Sequence, residues 1–581
     1  MTRRLLAALA VALLPALVGC GVRMPTSGGV VEAGPGPQTT RVPGISIDPR
    51  PPQRGASPTE IVQGFLDAML ATPAQTRAAQ QFLTKDARTS WDPGRATVLY
   101  TEKGVARGEP DDIAVDLTGA YRLDARGAWQ GAVPATGRRL SFRLRQEDGE
   151  WRIASAPNAL IVPISWFEAR FTQLSLYFFD PTGRVLVPEP VFVPRGNQLA
   201  TTLVRDLVAG PSPELAGIVR SFLPPGVGEG LSVPVDEDGT ADIALTAGPD
   251  QLTQPTPQAL TLLNAQLAWT LRQDPSVSSI RLSIAGRAVQ LPGGRAQFSV
   301  SDGPEYDPAG YRASSEIFGL DDRGRLVSGR TPKLTAVSGP FGSRSVGLRS
   351  VAVDLNGEKV AGVTAGGTTV LLAAVHADGE TRTVARGRDL LRPAWDVAGR
   401  LWLVDRSRGG AEVSYVDGDG QRHPIALPGV SGRDVTRFLV SRDGTRFVAV
   451  RRDAAGDRLV VSRLRSDEDG RMVAATPATP ISPDEKAPMR IQDIAWSSPT
   501  TVWLLHHLSG ATQVRAVAVD GSSAAFPAQP IIVADDVEAL LSSPVAEQGA
   551  YGVVGTQLRG LTGDTRDAAL DGPVTALGFV G

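Results

Sequence analysis

The chain has 581 residues, 42% of them apolar and 21% charged. This exceeds one ordinary domain and corresponds to about three to four, and the composition is that of globular rather than disordered material. With 59 basic and 61 acidic side chains the net charge is −2, which leaves no broad basic surface for nucleic acid. Of the basic residues 5 are Lys and 54 Arg, and the arginines are scattered, as G+C-rich coding would leave them. From the start of the chain, Thr2-Arg3-Arg4 supplies positive charge and residues 5–18 are apolar apart from Pro15. The stretch is shorter than the ~20 residues that span a bilayer and ends in small residues, so residues 1–19 read as a cleaved export signal. The Arg-Arg-Leu-Leu order fits an ordinary basic start and also resembles a twin-arginine signal, so the export route stays open.

Cys20 is the sole cysteine of the chain, in Leu17-Val18-Gly19-Cys20. These four residues resemble the lipobox of bacterial lipoproteins. The resemblance implies that the Cys20 thiol carries diacylglycerol, that the signal is cut before Cys20, and that the new amino group is acylated, for example by palmitate. The absence of other thiols agrees with export into oxidising surroundings, where a free cysteine is reactive or mispairs. Two acyl chains would hold the protein on its membrane with on the order of 20 kcal/mol, at ~0.8 kcal/mol per methylene.

Residues 20–56 are rich in Gly, Pro, Ser and Thr and read as an extended tether. Structure is expected from Ser57. Ser57-Pro58-Thr59-Glu60 has capping-box spacing with Pro at the first helical position, and Ile61, Phe65 and Met69 recur at helical period. A second short helix is expected over residues 76–83. Strand runs follow at "ATVLYT", "DDIAVDLTGAYRLD" and "RRLSFRLRQEDGEWRIAS", the last with a hairpin turn at Glu147-Asp148-Gly149-Glu150 before Trp151 and Ile153. Helices followed by a curved sheet resemble the cone-shaped nuclear-transport-factor-like fold. Residues 57–165 are therefore expected to form an α+β domain, with no acid–base pair to place on its concave face.

Residues 166–295 open with the buried strand "LSLYFFD". Asn197 is the expected cap of a helix carrying Leu199, Leu203 and Leu207, stopped by Gly210-Pro211. Then come a turn at "FLPPGV" and strands at "LSVPV" and "TADIAL" across Asp236-Glu237-Asp238-Gly239. A helix with Leu260, Leu263, Leu267 and Leu271 leads to a strand with Ile280, Leu282 and Ile284. The order of these parts, with "LVAGPSPE", "LAWTLRQDPSVSSIRLSIAG" and "AVQLP", resembles the GerM domain named for spore germination proteins. That implies an α+β module of bacterial envelope proteins without established catalysis.

Residues 296–581 repeat an apolar strand, a polar turn and a second apolar strand. The repeats are "SVAVDLNGEKVAGV", "RPAWDVAGRLWLV", "RFLVSRDGTRFVAV" and "DIAWSSPTTVWLLH", with a weaker unit at "VEALLSSPVAEQGAYGVV". Val353, Trp395, Val440 and Trp496 are 42, 45 and 56 residues apart. Such a period marks a β-propeller. The final "VTALGFVG" is expected to close the ring against "SEIFGLDDRGRLVSG", which removes the sheet edges. The count comes to about six blades, with five or seven also open. Trp395 and Trp496 are expected to pack between blades.

The histidines are His376, His423, His506 and His507. Neighbouring strand residues point to opposite faces, so His506-His507 does not form a metal clamp. There is no Walker A sequence, no G-x-S-x-G and no HExxH, and "GPFGSRSVG" reads as a loop. The sequence thus points to no enzyme, no catalytic residue, no cofactor and no metal site.

Lipobox, tether, small α+β domain, GerM-like domain and propeller, in this order, resemble the LpqB lipoproteins of actinobacteria along nearly the whole chain. The resemblance implies a lipid-anchored protein on the extracytoplasmic face of the cell membrane. It would be an accessory or modulator of a two-component sensor histidine kinase of the MtrB type, contacting that kinase's extracytoplasmic domain and affecting envelope homeostasis and division. The alternative is an envelope-located binder of a small molecule or cell-wall glycan, through the propeller or the GerM-like groove.

Overall fold

The computed structural model describes residues 50–71, 76–223, 231–246, 256–290, 294–481, 489–522 and 530–581. The expected signal, lipobox and nearly all of the expected tether lie outside these residues. The first helix, Pro58–Ala68, begins as its sequence dictates: the Ser57 hydroxyl accepts from the Glu60 N–H, and the Glu60 carboxylate takes the Ser57 N–H at 2.8 Å. Its buried face carries Ile61, Val62, Phe65 and Leu66 into a core shared with Ile113, Phe142 and Ile153. The second helix is shorter than expected, Arg77–Gln80. Thr84 interrupts it by capping a further helix, Lys85–Ser90, through its hydroxyl and the Ala87 N–H at 3.2 Å.

Two sheets complete this module. The run "DDIAVDLTGAYRLD" is not one strand. Asp112–Thr118 pairs with Arg139–Glu147, whereas Tyr121–Leu123 pairs with Thr97–Tyr100 in the other sheet. Arg139–Glu147 and Glu150–Ser155 form the expected hairpin. Asp148 (φ 55°) and Gly149 (φ 80°) both take left-handed geometry at its turn, which matches the strand twist.

A long hairpin, Phe171–Phe179 with Leu186–Pro194, joins this module to the next. Phe171 and Phe192 lie in the first core, and Leu176, Phe178, Val187 and Val191 in the second. The helix Leu199–Val208 starts after Gln198 without a side-chain cap, so Asn197 stands one residue too early to serve as one. "LSVPV" is not a strand either. The Val233 N–H donates to Thr201 Oγ1 at 3.0 Å, and the segment makes a single bridge, from Val235 to Ala241. Thr240–Leu245 and Ser279–Ile284 pair in parallel, with Pro257–Leu271 as the crossover helix. Gln297–Ser299 adds to the same sheet, so the sheet continues beyond residue 295. The crossover helix is buried from Leu262 to Leu271 because it serves two cores. Leu263 and Leu267 face the sheet, while Leu262, Ala265 and Trp269 face Phe179 and Leu186.

From Ile317 onward the described residues form six sheets, each ordered from an inner to an outer strand. Their inner strands are Leu348–Val353, Ala394–Trp395, Val435–Val440, Ile491–Ser498, Ala539–Ser542 and Val574–Gly578. The last is the C-terminal strand, which pairs with Ile317–Asp321 and joins the two ends of the propeller chain in one sheet. Between neighbouring sheets the tryptophans form a repeated link. Trp395 Nε1 donates to the Ala352 carbonyl at 3.2 Å and Trp496 Nε1 to the Val440 carbonyl at 3.0 Å, each on the preceding inner strand. The polar turns are built by aspartate. Asp321, Asp354, Asp396, Asp417 and Asp467 each accept backbone N–H groups two to five residues ahead. In "GPFGSRSVG", Pro340–Ser343 is a single helical turn rather than loop, with Pro340 at its start.

Candidate functional site

The inner strands enclose a channel with a cavity of about 460 Å³. One end of it lies under the middle module and is held by buried arginines. Arg442 donates to the Ala309 and Val580 carbonyls, both at 2.6 Å. Burial without a carboxylate at contact lowers its guanidinium to about 10. Beside it Arg446, fully buried, pairs with Asp443 at 3.0 Å and donates to the Pro188 carbonyl of the joining hairpin. Glu189 is buried next to it, and burial raises its carboxyl above the usual range even though the Ser212 N–H and Arg126 oppose this. Gln173 Nε2 reaches Ser522 Oγ at 2.9 Å. A buried ion pair stabilises little by itself, but leaving one partner alone is costly, so these contacts fix the middle module in one register on the propeller.

The other end of the channel is lined by the first residues of the inner strands and carries several charges. Asp389 bridges Arg349, at 2.7 Å, and Arg406, whose Nε lies at 2.8 Å, and the Arg349 hydrogen bond holds its carboxyl below the usual range. Asp493 accepts the Leu540 N–H at 2.9 Å and lies 3.6 Å from Arg437, and burial raises its carboxyl. Arg392 donates to the Leu577 carbonyl at 3.0 Å and has no carboxylate at ion-pair distance among the described residues. The Ser350 and Thr436 hydroxyl oxygens behind this wall are buried and have no hydrogen-bond partner among the described residues. Phe438 and Trp496 supply aromatic surface. Such a wall suits a polar ligand with both donors and acceptors. Of these residues the sequence singles out only Trp496, as inter-blade packing; the others come from separate blades and carry no local motif.

The expected lipidation site at Cys20, with Leu17, Val18 and Gly19, lies outside the described residues. His506 and His507 do not converge. His506 is buried against Gln513, whereas His507 lies on the other face, 3.3 Å from Asp536. His423 pairs with Asp417 at 2.6 Å. Among the described residues no group of three or more His, Cys, Asp or Glu side chains could hold a metal ion, and no helix is long and apolar enough to cross a membrane.

Fold and site together define a three-module protein of two α+β modules and a β-propeller, with the joining hairpin and the middle module bonded to the propeller. Comparison with known proteins gives the same division. Residues 51–168 match "Lipoprotein LpqB, N-terminal domain", residues 175–290 match "Sporulation and spore germination", and residues 324–553 match "Lipoprotein LpqB beta-propeller domain". The chain is 26% identical to Lipoprotein LpqB of Thermobifida fusca over 93% of its length and 94% of that protein's. It is 29% identical to Lipoprotein LpqB of Mycolicibacterium smegmatis over 82% of each chain. Among solved structures, the tandem GerMN domains of GerM from Bacillus subtilis align at 18% identity, covering 27% of this chain and 58% of that one, with a TM-score of 0.19 that carries no argument. The chain belongs to the LpqB lipoprotein family, whose members are envelope-associated.

Proposed function

We propose that this protein is anchored by lipid at Cys20 to the extracytoplasmic face of the cell membrane and modulates a two-component sensor histidine kinase by binding its extracytoplasmic domain. The observation that carries this reading is family membership along nearly the whole chain, joined to a lipobox at residues 17–20. The fold supports it, since the modules are bound together through buried charges and can present one rigid surface. Binding one sensor conformation more tightly than the other biases signalling by their difference in affinity. The role is one of binding rather than catalysis. Co-purification from crosslinked membranes tests it. The lipidated chain is expected to recover a sensor kinase, and the Cys20→Ser variant to leave the membrane and recover none. A variant that stays on the membrane after signal cleavage contradicts the anchor, and repeated absence of a kinase with the lipidated bait contradicts the partner.

The channel favours a second reading, an envelope-located binder of a small molecule or cell-wall glycan. Its charged wall at Arg349, Asp389 and Arg437 and its aromatic residues Phe438 and Trp496 carry this reading. A thermal-shift screen against soluble cell-wall fragments separates the two, because a ligand of the native state raises its stability by mass action.

A further inference from the structure

The first module has a concavity of about 570 Å³ in its surface. Its floor is apolar, with Val98, Leu140 and Ala159 buried beneath it. Arg95, Arg122 and Arg139 stand around it, brought from three separate segments, and no carboxylate is among the lining residues. Arg122 faces Val98 across the strand pair Thr97–Tyr100 and Tyr121–Leu123. None of the three guanidinium groups makes an ion pair or hydrogen bond among the described residues, in contrast to the channel mouth, where Arg349 and Arg406 share Asp389. Two acids next to these arginines along or across the chain have other partners. Asp116, opposite Arg139 in register, is held by Arg107, and Asp92 accepts the Gly94 N–H at 2.9 Å. Neutral donors complete the rim. Asn158 Oδ1 accepts the Asp92 N–H at 3.0 Å, which turns its amide nitrogen free to donate, and Gln130 and Ser141 lie beside it.

Three like charges around one hollow repel each other, and an anion placed among them relieves that repulsion while gaining charge-assisted hydrogen bonds. Guanidinium forks match the paired oxygens of phosphate. We infer that this concavity binds a phosphate-bearing ligand, with the phosphate held by Arg95, Arg122 and Arg139. The phosphate can come from an anionic lipid headgroup or from a soluble phosphate ester. The lipid source rests on anchoring at Cys20; the site itself does not.

The test uses the unlipidated mature chain carrying Cys20→Ser. Its binding to glycerol 3-phosphate is measured by calorimetry at low salt. Its co-sedimentation is measured with vesicles of equal parts phosphatidylglycerol and phosphatidylcholine, against phosphatidylcholine alone. At least one phosphate probe is expected to bind, with affinity falling as salt rises. Combined Arg95→Gln, Arg122→Gln and Arg139→Gln is expected to weaken it by at least about tenfold, because these are charge-assisted contacts. The three side chains are exposed, so the unfolding temperature should hold, and Arg287→Gln in the middle module serves as the control for general charge. Binding to vesicles alone identifies the headgroup, and binding to glycerol 3-phosphate alone identifies a soluble ester. The proposal is overturned if neither probe binds, or if the triple variant or the control behaves contrary to these expectations.

Discussion

Asp206 shows how one buried residue sets a pH dependence. Its side chain is 6% exposed, and burial raises its carboxyl to about 6 despite Arg205 at 3.2 Å. In the unfolded chain an aspartate titrates near 3.9. Between about pH 4 and pH 6 the folded chain holds a proton that the unfolded chain has released, so this group's contribution to stability falls as pH rises through that window. Above it the whole cost of burying the charge remains, about 2–3 kcal/mol. Asp206→Asn is therefore expected to raise the unfolding temperature at neutral pH and to change it little near pH 4. An equal gain at both would contradict the role of ionisation. Two turn aspartates of the propeller do the opposite work. Hydrogen bonds from its own turn and Arg325 hold Asp321 below the usual carboxylate range, and His423 with the turn N–H groups does the same for Asp417, whereas burial raises Asp354.

At the scale of elements, the joining hairpin depends on one close approach. Gly127 has φ +78°, a β-carbon there would lie 2.1 Å from the Phe192 carbonyl oxygen, and the Phe192 N–H donates to the Gly127 carbonyl at 2.9 Å. Gly127→Ala is both sterically blocked and strained at positive φ. A cost of about 2–4 kcal/mol is expected by denaturant titration, in the range of backbone-strain and overpacking effects; a change below the usual surface-substitution noise would contradict the packing. What was legible in the sequence were elements fixed by local chemistry. Ser57 and Glu60 cap a helix wherever that helix packs, the Asp148-Gly149 turn selects its own geometry, and the alternation of Ile280, Leu282 and Ile284 needs only one buried face. What was not legible depended on partners far along the chain. "LSVPV" has the composition of a strand, but Thr201 takes its N–H. The channel wall and the three arginines of the first module exist only once separate segments are brought together. The proposed lipobox at residues 17–20 is a different case, since the chemistry expected there would act on a short linear segment and need no fold.

At the scale of the whole molecule, the propeller is held by its own end. The strand Val574–Gly578 pairs with Ile317–Asp321, and the Val580 carbonyl beyond it receives Arg442. Removing residues 574–581 exposes a sheet edge and strands a buried guanidinium. The truncated chain is expected to lose its single cooperative unfolding transition and to aggregate; an unchanged transition would contradict closure through this strand. The proposed function has the anchored body meet a sensor kinase outside the membrane. Crosslinking with mass spectrometry on intact membranes tests it most directly. The account predicts peptides of this chain joined to the extracytoplasmic domain of a two-component sensor kinase. Crosslinks that reach envelope polymers or other proteins, but never such a kinase, would contradict it.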